Sequence, residues 1–168
     1  MINLDKLDLK GKKVLIRLDL NVTSRNPKEI TKEERFNTAL PLIQYVTKKG
    51  GKAILMSHLG RPDGKKVRED SLKCVAEALE SKLNTKVAFP GDCIGKKVED
   101  TIESMENGDI TLLENLRFHP EEKSNNPTFA KSLAKLGNVY INDAFGTAHR
   151  KHASIYGIPT LFKGKKPV

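Results

Sequence analysis

Five short apolar runs, at residues 13–19, 52–56, 86–89, 109–113 and 139–141, are separated by longer stretches with helical spacing. Strands that alternate with helices, without tandem hairpin signals, predict an α/β domain with a mainly parallel sheet covered by helices on both faces, three layers in all. Four of the five runs break abruptly into polar and cationic side chains. They end in Asp19 and Asn21, in His58 and Arg61, in Arg117 and His119, and in His149, Arg150 and His152. A parallel sheet brings its strand ends to one edge, and open α/β sheets bind ligands outside that carboxyl edge. The chain is therefore expected to gather a cationic site there, with Asp19 and either Asp143 or Glu114 as its acidic members.

The intervening segments fit this plan. In the first run Val14, Ile16 and Leu18 share one face, and Leu15, Arg17 and Asp19 the other, by the two-residue period of a strand. Residues 23–31 read as a polar loop. Residues 35–49 carry Phe36, Ala39, Leu40, Ile43 and Val46 at helical spacing, with Pro41 tolerable only near the first turn. Arg35 then opens that helix, where a cation opposes the helix dipole, a cost that points to holding an anion. Ser71 is a candidate N-cap for a helix over 72–83. Further helices are predicted over 94–105 and 128–136. After Ser154 the chain becomes short apolar pieces and a lysine run at 163–166.

The 168 residues suit one domain spanning 1–168. The formal charge is +9, and its two cations are distributed differently. Most lysines stand in solvated runs, whereas Arg17, Arg35, Arg61, Arg117 and Arg150 stand at strand ends and turns. Arginine is the better residue for bidentate contact with phosphate or carboxylate. Nucleic acid is disfavoured as a partner, because aromatics are only 5% of residues and no recognition motif occurs. No run approaches the roughly 20 apolar residues of a membrane helix, and the charged start has no signal-peptide core. No membrane partner and a cytoplasmic location are expected. Cys74 and Cys93 read as reduced structural thiols. No metal site is supported, Ser57 beside His58 is too little for a nucleophilic triad, and neither G-x-x-x-x-G-K-[ST] nor G-x-G-x-x-G occurs. The residues alone lead to a site for a small phosphorylated metabolite on an α/β domain.

Four motifs narrow this. V-L-I-R-L-D-L-N-V, S-H-L-G-R-P, L-L-E-N-L-R-F-H-P-E-E and Y-I-N-D-A-F-G-T-A-H-R-K-H-A-S, in this order and spacing, closely resemble the N-terminal half of the phosphoglycerate kinase family. The resemblance implies a Rossmann-like domain that binds 3-phosphoglycerate or 1,3-bisphosphoglycerate, in an enzyme moving a phosphoryl group between ATP and 3-phosphoglycerate. It implies that His58, Leu59, Gly60, Arg61, Arg117 and Arg150 form the 3-phosphate side. Asp19 and Asn21 would contact the glycerate hydroxyl and carboxylate. Arg35 would be the catalytic residue, facing the carboxylate and neutralising the phosphoryl group in flight, and Arg17 would support Asp19 from behind. Gly146 and Thr147 would form a close-approach turn, with His149 and His152 structural.

Mg-ATP or Mg-ADP would belong to a nucleotide-binding domain, which is the implied partner within the same enzyme. No cofactor is expected in residues 1–168. This stretch by itself is expected to be a monomer without kinase activity, and the alternative is a phosphometabolite-binding module that does no chemistry of its own. Leu20 and Thr23 depart from the family's usual Phe and Pro beside the site.

Overall fold

The computed structural model describes residues 3–162, so the lysine run at 163–166 lies outside the described residues. Its centre is a five-stranded, all-parallel sheet of β1 (Lys13–Arg17), β2 (Lys52–Met56), β3 (Val87–Ala88), β4 (Ile110–Leu112) and β5 (Val139–Asn142). The spatial order is β3-β4-β2-β1-β5. Register is continuous across the middle, where Leu15 lies between Ile54 of β2 and Tyr140 of β5.

Two-residue alternation sends each strand's side chains into two separate cores. Val14, Ile16, Ala53 and Leu55 face one core, which α1 (Pro27–Ile30), α2 (Glu34–Lys48) and α3 (Lys73–Leu83) cover through Ile30, Phe36, Ile43, Val75 and Leu79. Leu15, Ile54, Met56 and Tyr140 face the other. There α4 (Lys96–Glu103), α6 (Pro127–Ala134) and α7 (Ile158–Leu161) supply Val98, Ile102, Phe129, Leu133 and Ile158. Strands buried on both faces must be apolar at successive positions, as these are. Among the described residues no helix is long and apolar enough to cross a membrane.

Three local features differ from the sequence expectation. The 23–31 loop contains α1, because Asn26 caps Lys28 N–H with Pro27 at the first helical position, and Ile30 is buried beneath it. Pro41 sits well inside α2 rather than in its first turn; tertiary packing of Phe36, Ala39, Leu40, Ile43 and Val46 outweighs the backbone bond it removes. Ser71 Oγ accepts Lys73 N–H at 3.3 Å, as the expected cap would, although α3 begins one residue later than expected. Leu72 occupies the N-cap of α3, while the Ser71 hydroxyl donates to Glu114 Oε2 at 2.7 Å.

Candidate functional site

The four adjacent strands β4, β2, β1 and β5 open at their carboxyl ends into one cleft of about 740 Å³. Asp19 and Asn21 follow β1, His58, Gly60 and Arg61 follow β2, Arg117 follows β4, and Gly146, Thr147 and Arg150 follow β5. Arg35 enters from the first turn of α2, and Lys123 from α5 (Pro120–Lys123). Edge strand β3 contributes nothing. The site residues expected from the sequence thus come together, with Leu59 the exception. Its side chain is buried in the core under α2 and α3, and only its carbonyl is engaged, accepting from Asn115 Nδ2 at 2.7 Å.

Backbone links between loops hold the walls in place. Asn21 Oδ1 accepts Gly60 N–H at 2.9 Å, and Ser57 Oγ accepts Leu20 N–H at 2.9 Å, tying the β1 and β2 loops together. Gly60 adopts φ +63°, and a Cβ there would come within 2.3 Å of Asp70 Oδ1, so both its conformation and its space require glycine. Asn115 Oδ1 accepts Arg117 N–H at 3.0 Å and its amide donates to Leu59 and Asp70 carbonyls, which joins the β4 loop to the β2 loop.

Charge decides what the cleft can hold. Arg35, Arg61, Arg117, Lys123 and Arg150 line it against the carboxylates of Asp19 and Asp63. Arg35 is engaged by its own chain, 3.5 Å from Asp19 Oδ2 and donating to Asn21 O at 2.7 Å. Lys123 lies 3.6 Å from Asp63 at the rim. By contrast the Arg61, Arg117 and Arg150 guanidinium groups donate to no protein acceptor among the described residues, and Arg117 Nε is buried without a partner. Burial and then Arg150, Arg17 and Arg61 push the Arg117 pKa down. Three unpaired arginines crowded into one cleft suit an anionic group such as phosphate or carboxylate. The adjoining, larger hollow of about 890 Å³ shares Asp19, Asn21, Arg35 and Gly146 but is lined by Glu29, Glu33, Glu34 and Asp143. Those acidic groups make it a poor anion site.

Several sequence expectations need correction. Arg17 does not support Asp19. It is buried behind the cleft on Ser154, His58 and Leu18 O, and Arg35 is Asp19's cation. The strand ends at Arg17, so the alternation that paired Arg17 with Asp19 stops between them. Glu114 is no part of the cationic edge; it is buried, accepting from Ser71 Oγ, Leu72 N–H and Asn115 N–H. Asp143 lines only the larger hollow. His119 turns away to Asp92 at 2.7 Å and stacks on Phe129.

Gly146 is not packed against the chain. A Cβ there would meet nothing within 4 Å, so the space beside it belongs to the cleft. His149 and Arg150 are exposed, and His152 is half-buried with its carbonyl capping the π-helical turn at Ala153–Gly157. Sequence reasoning missed Lys123, Glu122 and Ser154. A glutamate pair before a lysine reads as solvated surface, yet α5 turns Glu122 fully inward.

Asp92, Cys93 and His119 bring ligand-type atoms within 4.8 Å of one another. The Cys93 thiol, however, donates to Glu114 O at 2.9 Å, and burial pushes its pKa far up. It holds its proton as a structural group. Cys74 and Cys93 are both free thiols.

Burial, then Arg17, Arg117, Arg150 and His152, hold the His58 imidazole down at about 3. Burial and the cleft's cations likewise hold His152 at about 4. Unfolded histidine protonates near about 6.5, so between that value and the folded ones the unfolded chain binds more protons. These two residues therefore make stability fall as pH drops from about 6.5 toward 3. Urea midpoints are expected to decline from pH 7 to pH 5, and His58→Gln is expected to flatten part of that decline. An identical slope in the variant would contradict the assignment.

The phosphoglycerate kinase family profile matches residues 4–166. The chain belongs to the phosphoglycerate kinase family. The phosphoglycerate kinase of Chlorobium limicola is 50% identical over 155 residues, covering 92% of this chain and 39% of that protein. That of Neurospora crassa is 48% identical over 173 residues, covering 94% of this chain and 41% of the relative. The solved phosphoglycerate kinase of Coxiella burnetii superposes with TM-score 0.80 at 41% identity, over 94% of this chain and 39% of that structure. The Pyrococcus horikoshii enzyme gives 0.82 at 30% identity, over 96% of this chain and 41% of that structure. The chain therefore spans about two-fifths of the length of these phosphoglycerate kinases, and its Rossmann-like parallel sheet is theirs.

Proposed function

We propose that this chain is the phosphoacid-binding half of a phosphoglycerate kinase, a single domain over residues 1–168 that holds 3-phosphoglycerate in the cationic cleft. The observation that carries the reading is the set Arg61, Arg117 and Arg150, unpaired on the protein among the described residues and facing one cleft. The three guanidinium groups take the 3-phosphate, with His58 beside them. Asp19 and Asn21 meet the glycerate hydroxyl and carboxylate, and Arg35 leaves its contact with Asp19 to face the reacting carboxylate.

The reaction converts ATP and 3-phosphoglycerate to ADP and 1,3-bisphosphoglycerate, and it runs in either direction. The attacking group is the substrate's own carboxylate, so the protein's task is positioning and charge neutralisation rather than nucleophilic attack. Arg35 is the residue placed for that neutralisation. The Mg-nucleotide belongs to the portion of such enzymes that this chain does not span. The family's metabolic role and two free thiols support a cytoplasmic setting.

Calorimetric titration of 3-phosphoglycerate into the 168-residue chain is expected to show one site that weakens strongly in Arg61→Ala and in Arg150→Ala, without loss of fold. Equal binding by wild type and both variants would overturn the assignment. The same polypeptide is expected to support no ATP-dependent turnover in a coupled assay. Full turnover by it would show that residues 1–168 also handle the nucleotide.

A further inference from the structure

Behind the cleft lies a buried polar row that no contact with substrate explains. Glu122, 1% exposed, accepts Ser154 N–H at 3.0 Å through one oxygen and the Ser154 hydroxyl through the other. Ser154 Oγ in turn accepts Arg17 Nε–H at 3.0 Å, and an Arg17 terminal nitrogen lies 3.1 Å from His58 Nδ1. The second terminal nitrogen of Arg17 donates to Leu18 O. Tyr140 Oη donates to Ser154 O at 2.7 Å and fixes that residue from the sheet side. Arg17 and Glu122 do not line the cleft, whereas His58 does.

Arg17 fixes the direction of the bonds it makes in this row. A guanidinium has donors and no acceptor, so Ser154 Oγ accepts from Arg17 and has its own hydrogen free for Glu122. Both Glu122 oxygens face Ser154 donors, which favours the carboxylate against the burial that pushes its pKa up. On the other side His58 Nδ1 must also accept, because Arg17 offers it only N–H. An imidazole whose Nδ1 accepts carries its hydrogen on Nε2, and Nε2 makes no hydrogen bond to the described residues.

We infer that the Glu122–Ser154–Arg17 row is a tautomer lock, which holds His58 with Nε2–H presented to the cleft as a fixed hydrogen-bond donor. Arg17 is thus a positioning residue, acting on the ligand only through His58. The inference rests on the proposed function for what the donor meets, a phosphate oxygen, but not for the lock itself. The groups facing His58 are Arg17 from β1, Arg117 after β4, and Arg150 and His152 after β5. All but His152 are permanent cations, and His152 is itself held neutral near about 4, so nothing around the ring favours its protonation. An ordinary imidazolium in this place would lose its charge as the pH rose toward neutrality. A locked neutral donor keeps its contact across that range.

Nitrogen-15 spectra of the ligand-free chain test this directly. The wild type is expected to show His58 as a single neutral form protonated at Nε2, unchanged between pH 8 and pH 5. In Arg17→Met the ring is expected to populate both tautomers, while burial and the remaining arginines still keep it neutral over that range. Glu122→Gln is expected to shift the same resonances part of the way. A wild-type His58 protonated at Nδ1, or titrating like an ordinary histidine, overturns the lock whether or not the variants fold.

Binding of 3-phosphoglycerate gives the second readout. His58→Gln, which keeps an N–H donor near the Nε2 position, is expected to stay within about fivefold of wild type, while His58→Ala loses about 10- to 150-fold, the worth of one hydrogen bond to a charged group. Equal losses in the two variants would overturn the donor role. A locked tautomer in a chain that ignores 3-phosphoglycerate would instead remove the proposed function and leave the lock standing.

Discussion

Arg117→Met is expected to weaken 3-phosphoglycerate binding by about 10- to 150-fold, the worth of roughly 1.5–3 kcal/mol for hydrogen bonds to a charged group, while leaving the chain no less stable. The second half of that outcome sets the site apart from ordinary structure. A buried arginine that serves the fold is paired, and removing it strands its partner. Arg117 has no hydrogen-bonded partner to strand: its Nε is buried without an acceptor, and Arg150, Arg17 and Arg61 repel it while Glu122 alone among the charges acting on it attracts it. Methionine keeps the stem's packing and removes the repulsion. Stability is therefore expected to hold or rise as affinity falls, which paired calorimetric and thermal-unfolding measurements on wild type and variant will show. Unchanged affinity, or a marked drop in melting temperature, would mean that Arg117 serves the scaffold.

Glu114→Ala is expected to do the opposite, with a loss of about 4 kcal/mol in unfolding free energy. Its carboxylate is buried at the end of β4 and accepts from Ser71 Oγ at 2.7 Å, Leu72 N–H at 2.9 Å and Asn115 N–H at 2.7 Å. Ser71 is half-buried and reaches water when freed, but Leu72 and Asn115 are buried, and each orphaned donor there costs about 1–3 kcal/mol. Removing the side chain also leaves a void. Domains keep only about 5–15 kcal/mol in total, so the loss is large. Asn115 anchors the Arg117 turn and the Leu59 carbonyl, so binding is expected to weaken alongside stability. Glu114→Gln, which retains an acceptor oxygen, is expected to lose clearly less. Urea unfolding of the two variants decides it, and a Glu114→Ala chain within about 1 kcal/mol of wild type would contradict this role.

The sheet and its cationic edge were legible because both rest on short-range rules. Alternation in K-V-L-I-R assigns Val14 and Ile16 to one core and Leu15 to the other, as found. Strand-end position alone collects Asn21, His58, Arg61, Arg117 and Arg150 into one cleft. What escaped depends on direction at a strand end or inside a turn. Arg17 and Asp19 are two residues apart, yet one points inward to Ser154 and the other meets Arg35, because β1 stops between them. Glu114 and Glu122 look alike in sequence to any solvated acid. Only the packing of α3 and α5 against the strand ends shows that each is a buried acceptor with its donors matched. The helix at Pro27–Ile30 was announced by Asn26 and Pro27, but a polar surround hid the one buried contact, Ile30.

The central claim is that Arg61, Arg117 and Arg150 together hold the phosphate of a small phosphorylated acid. Side-chain Nε–H resonances of these three arginines, followed in the chain during titration with 3-phosphoglycerate and separately with unphosphorylated glycerate, test it most directly. All three are expected to shift together and saturate with 3-phosphoglycerate, and to stay in place with glycerate. Arginine resonances that ignore both ligands, or that respond equally to glycerate, would contradict the account.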